Sequence, residues 1–173
     1  MYINRRSAIK QLFIISAGAA ILPSCVSNDK PAAGTFSHLP LTAKDEETLA
    51  EISSTIIPTT DTPGAKEVGA HLFALRMVND CYKKEDRERF IKGLRQFEEH
   101  VKGQHNKTYA QCTPAEKEKV ISAAQQGGVD DAAWFYKTFK RLTIQAYTSS
   151  EYFLTKVDVY KLVPGKFVSS VKV

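Results

Sequence analysis

The sequence predicts an all-α fold, a small helical bundle, on three observations. Apolar residues recur at helical spacing in four separate stretches, Thr113-Pro114-Ala115-Glu116 is a helix-start signature, and Gly127-Gly128 ends the helix that begins there. The bundle is assigned to residues 42 to 173, behind a leader over residues 1 to 24 and a tether over residues 25 to 41.

The leader has the layout of an export signal. Asn4 to Lys10 is basic and free of acids, and Leu12 to Leu22 follows as an uncharged, largely apolar run. That run falls short of the roughly 20 residues a bilayer-spanning helix needs. The pair Arg5-Arg6 ahead of it resembles the twin-arginine export motif. Leu22-Pro23-Ser24-Cys25 resembles a bacterial lipobox, which makes Cys25 the candidate for lipid attachment. The segment Val26 to Pro40 is rich in Ser, Asn, Asp, Lys, Pro and Gly, a composition with little apolar area to bury, and reads as a tether. The expected location is therefore the periplasmic side of the cell envelope, held to the membrane by lipid.

Processing would also change the charge. The full chain carries a formal +5, and loss of Arg5, Arg6 and Lys10 leaves 21 basic against 19 acidic residues. A nucleic-acid partner is not expected from a net of +2, since Lys83 to Lys102 alternates both signs instead of gathering one.

The helices follow in order. Thr42 caps the first, with Asp45 in its first turn and Leu49, Ile52 and Ile56 on one face until Pro58 ends it. Thr59 to Ala65 is a turn-rich loop in which Gly64 permits a tight bend. A second helix is predicted over about Lys66 to Tyr82 on the spacing of Val68, Leu72 and Leu75. Phe90, Ile91, Leu94, Phe97 and Val101 form the stripe of a third, from about Lys84 to Lys102, in which Gly93 marks a close approach. The fourth starts at Thr113 and ends near Gly127-Gly128. The last has its core face on Trp134, Phe135, Thr138, Phe139, Leu142 and Ala146. Tyr136, Ile144 and Tyr147 leave that face, which fits either a central helix buried on several sides or a partner surface. Val157 to Val163 has the β-branched and aromatic character of a short extended segment before the Pro164-Gly165 turn.

Catalytic constellations do not assemble. There is no GxGxxG, no Walker loop, no Glu-x-x-His and no G-x-S-x-G. His71 is expected to be structural, His100 and His105 to lie at a helix end, and Glu47 and Glu51 to be solvated acids. No catalytic, cofactor-binding or metal-binding residue is assigned. Cys81 and Cys112 could pair in an oxidising compartment or stand free; neither lies in CxxC spacing.

One stretch carries a specific resemblance. Thr48 to Ala65, containing Ile56-Ile57-Pro58-Thr59-Thr60-Asp61-Thr62-Pro63-Gly64-Ala65, resembles the opening signature of the gluconate 2-dehydrogenase subunit 3 family. Similarity continues through Asn79-Asp80-Cys81, Phe90 to Leu94, Phe139-Lys140-Arg141-Leu142-Thr143, Tyr147 to Glu151 and Tyr160 to Phe167. The resemblance implies an accessory subunit without a catalytic group of its own. Its implied partners are a flavoprotein of the glucose-methanol-choline type, carrying FAD and oxidising a sugar or sugar acid, and a cytochrome c subunit carrying haem. The candidate partner surface is Ile57, Pro58, Thr60 and Pro63 of the loop with Tyr136, Ile144 and Tyr147 of the last helix. The alternative is a standalone envelope lipoprotein that binds a ligand or another protein.

Overall fold

The computed structural model describes residues 36–127, 130–158, 160 and 165; Arg5, Arg6 and Cys25 lie outside them. The described chain is helical and contains no β-strand. Its elements are α1 (Ala43–Ile56), α2 (Ala70–Cys81), α3 (Lys84–His105), a 3-10 turn (Tyr109–Gln111), α4 (Pro114–Gln126), α5 (Asp131–Thr148) and a π-helical turn (Phe153–Val157).

Local chemistry sets most of the boundaries. The Thr42 hydroxyl accepts from the Asp45 N–H while the Asp45 carboxylate accepts from the Thr42 N–H at 2.7 Å, a reciprocal cap. Thr113 and Glu116 form the same box at α4, and the Asp130 carboxylate caps α5 through the Ala133 N–H at 2.8 Å. Helix α2 starts at Ala70, later than expected, because Gly69 adopts φ 71°. A left-handed residue cannot sit inside a right-handed helix, so residues 65–69 form turns and α2 begins after them.

Helix α5 is the centre of the bundle, packed most closely on α3 and α2 and covered by α4. Phe90, Leu94, Phe97 and Val101 of α3 meet Phe135, Phe139 and Leu142 of α5, all buried. The Phe90 and Phe135 rings pack edge to face at 4.9 Å, a geometry worth about 0.5–1.5 kcal/mol beyond burial. Gly93 sits at the crossing, where a Cβ would lie 2.2 Å from the Asp131 carbonyl oxygen and 2.5 Å from Phe135 Cβ. The first turn of α5 is fixed there by Arg89 and Lys92, which reach the Asp131 carboxylate at 2.9 and 2.7 Å. Trp134 is only partly buried, and the Arg89 guanidinium stacks over its ring at 4.8 Å.

This packing corrects some expectations and decides others that the sequence left open. Tyr136, a partner-surface candidate, is 2% exposed and belongs to the core, since neighbours enclose α5 on more than one side. The end of the expected tether is part of the domain: Leu39 and Leu41 are buried, Phe36 packs against them, and the His38 N–H donates to Asn79 Oδ1 at 2.9 Å. Cys81 and Cys112 are both free, the first exposed at the end of α2 and the second buried with its thiol donating to the Thr108 carbonyl. Of the extended segment expected over Val157 to Val163, Val157 instead closes the π-helical turn, while 159 and 161–163 lie outside the described residues.

Candidate functional site: the loop after α1 and the end of α5

The chain leaves α1 through Ile57 and folds back on itself. The Ala65 N–H donates to the Ile57 carbonyl at 2.9 Å and the Thr60 N–H to the Thr62 carbonyl at 3.1 Å, closing the loop 57–65. Gly64 is required at the closure. A Cβ there would stand 2.6 Å from the Thr59 backbone nitrogen and 2.8 Å from the Ile57 carbonyl oxygen, and backbone cannot move aside as a side-chain tip can.

A second, small core holds the closed loop against the rest of the domain. Ala65, Ala70 and Ala146 are buried together, flanked by Ile57, Val68, Phe73 and Tyr147. The Tyr147 hydroxyl donates to the Pro63 carbonyl at 3.0 Å, so the end of α5 is bonded to the loop. The Tyr147 ring in turn packs edge-on against Phe153 of the π-helical turn at 6.0 Å. Small side chains let backbones approach, and one hydroxyl fixes the register.

This arrangement divides the proposed surface residues. Pro58 and Thr60 are exposed on the loop, with Thr59, Asp61 and Thr62, and Ile144 is exposed on α5 at 41%. Ile57, Pro63 and Tyr147 are half-buried and hold the loop in place. The loop is thus a rigid, presented element whose polar tip faces solvent.

Charged groups brace the same region. Glu51, expected as a solvated acid, receives Lys66 from beyond the loop and Lys117 from α4, each at 2.6 Å. Burial pushes its carboxyl up, but the two ammonium groups outweigh that and hold it below the usual carboxylate range. Glu47 stays exposed. Across the bundle, the Arg95 guanidinium grips the buried Asp45 carboxylate through both nitrogens, one at 2.8 Å, and also reaches Glu98 at 3.0 Å. Burial favours the neutral acid at Asp45; Arg95 and the Thr42 donors overcome it and hold the carboxyl below its ordinary value.

The histidines do not gather. His71 is 8% exposed, and burial holds its pKa below the usual histidine value. His100 is exposed, and His105 Nδ1 lies 3.7 Å from the Glu116 carboxylate. Among the described residues no group of three His, Cys, Asp or Glu side chains could hold a metal ion. No described helix is long and apolar enough to cross a membrane.

Residues 43–165 match the family described as Gluconate 2-dehydrogenase subunit 3. The chain belongs to that family. The match runs from the first residue of α1 past the π-helical turn and so spans the five helices and the loop. Comparison with curated proteins finds no match, and comparison with solved structures finds none either.

Within this subunit 3 domain, the end of the sequence signature enters the second small core through Ile57 and Ala65. The residues missed by sequence reasoning are Ala70 and Phe73 of α2, which hold the loop from outside it; Ala146 was expected on the core face of α5, though not against the loop. Also missed is that Lys137, Lys140 and Arg141 join Ile144 in an outward stripe of α5. Its spacing of zero, three, four and seven was available once the opposite, core-facing stripe had been assigned.

Proposed function

We propose that this chain is a non-catalytic accessory subunit that binds and stabilises a periplasm-facing flavoprotein dehydrogenase of sugars or sugar acids, and accompanies it through export. The observation that carries the reading is the family match over residues 43–165, which includes the whole of the rigid loop 57–65. Two features of the chain support it. The domain presents a braced loop with an exposed polar tip, a form suited to recognition by a preorganised surface. Its leader supplies an arginine pair and a lipobox-like cysteine, Cys25, which would deliver and tether a folded assembly.

On this reading FAD resides in the partner of the glucose-methanol-choline type, and haem in a cytochrome c subunit that takes the electrons. This chain supplies contact and address. The test is genetic. In cells lacking the chain, the flavoprotein is expected to disappear from the envelope fraction and its dehydrogenase activity with it, and re-expression is expected to restore both. Undiminished, correctly located activity in the deletion strain would overturn the proposal and favour a standalone envelope lipoprotein.

A further inference from the structure

The face of α5 opposite its core stripe carries Lys137, Lys140, Arg141 and Ile144 in one line. Each cation is held by a neutral acceptor. Lys137 Nζ donates to the Gly127 carbonyl at 3.2 Å, Lys140 Nζ to Gln125 Oε1 at 2.7 Å, and the Arg141 guanidinium to the Tyr82 hydroxyl at 2.6 Å. Among the described residues no carboxylate pairs with any of the three. Elsewhere in the domain Lys66, Arg95 and Lys117 pair with carboxylates at 3.0 Å or less. The three charges on α5 are positioned without being neutralised.

They also surround an apolar contact. With Gln125, these side chains line a groove of about 530 Å³ in which Ile144 supplies the exposed apolar surface. Fixed cations around an exposed isoleucine complement a protein segment whose carboxylates flank an apolar side chain. An anionic bilayer is a poorer match. Membrane surfaces are read by clusters of about four to eight basic residues, and here three are tied down by hydrogen bonds.

We propose that this stripe is the electrostatic dock for the flavoprotein, taking an acidic segment with an aliphatic or aromatic residue at its centre. The inference rests on the accessory-subunit reading and adds to it the surface and the chemistry of the partner. Docking through fixed charge sets orientation and speeds encounter, and the exposed isoleucine supplies burial once the partner is seated.

The test uses the full chain, tagged and purified from its own membranes in mild detergent, with bound flavin read by absorbance per mole of chain. Wild type is expected to retain flavin at low salt and to lose it progressively towards about 0.5 M salt as the charges are screened. The variant K137E/K140E/R141E is expected to carry about tenfold less flavin, and K137Q/K140Q/R141Q an intermediate amount, with far-UV circular dichroism unchanged. A carbodiimide is expected to join Lys137 or Lys140 to an Asp or Glu of the flavoprotein. If wild type binds flavoprotein and both variants bind it equally well, the dock is overturned and the accessory reading stands. Loss of binding to phosphatidylglycerol vesicles with flavin retention unchanged would assign the stripe to the membrane and overturn the proposal. Wild type without flavoprotein would overturn both.

Discussion

Replacing Gly93 by alanine is expected to destabilise the domain by about 2 kcal/mol or more, although alanine is the better helix former by about 1 kcal/mol. The added methyl would stand 2.2 Å from the Asp131 carbonyl oxygen, 2.5 Å from Phe135 Cβ and 2.9 Å from the Asp131 carbonyl carbon. These are backbone and near-backbone atoms, so relief requires α3 and α5 to separate. Separation would loosen the Phe90 to Phe135 contact and the ion pairs of Asp131 together. For a domain of this size the loss corresponds to a fall in Tm of roughly 6–10 °C. Gly103 lies in the same helix with nothing within 4 Å of its would-be Cβ. Gly103→Ala is therefore expected to be neutral or to stabilise by up to about 1 kcal/mol. Opposite signs for two identical substitutions in one helix, read by thermal or urea denaturation, would locate the cost in the crossing; equal effects would refute it.

The second large effect is expected at the Asp45 and Arg95 pair. Arg95→Ala leaves a carboxylate whose side chain is 3% exposed without its cation. A fully buried pair broken this way costs about 3–5 kcal/mol. Arg95 is 41% exposed and partly solvated, so about 2–3 kcal/mol is the expected loss at neutral pH. Asp45→Asn is expected to cost less, because the released guanidinium can turn to water and the amide oxygen can still accept from Thr42. The pH dependence gives a further check. Asp45 binds its proton more weakly folded than unfolded, so the stability supplied by the pair is fully present above the ordinary carboxylate value of about 3.9. It is lost as pH falls through the lower, folded value. The difference in stability between wild type and Arg95→Ala should thus shrink on acidification below about pH 4. A difference independent of pH would mean that Arg95 acts through packing.

Why Asp45 was legible only in part illustrates what a sequence carries. Its place in the first turn after Thr42 is local chemistry and follows from spacing, as does Glu116 after Thr113. Its bond to Arg95 spans 50 residues and depends on how α1 lies across α3, which no spacing encodes. The same division runs through the helices. The stripes of α3 and α5 and the close approach at Gly93 were readable because they repeat at 3.6 residues. The start of α2 was not, because Gly69 could equally have been a helical glycine, and only its positive φ separates the two.

At the candidate site, the composition of Thr59 to Ala65 announced a turn, and Gly64 a tight bend. That Tyr147 would hold Pro63 from 84 residues away, turning a connection into a rigid element, needed the packed end of α5. Tyr136 was ambiguous for a related reason. An aromatic residue off the main stripe is exposed on a peripheral helix and buried on a central one, and the central position of α5 is a property of the whole bundle.

Isolation of the intact assembly tests most directly the proposal that this domain holds a flavoprotein. The tagged full chain, extracted from its own membranes in mild detergent at low salt, is expected to elute as a complex larger than itself. That complex is expected to have flavin absorbance and an oxidoreductase subunit identified by mass spectrometry. A stable, colourless monomer under the same conditions would contradict the account.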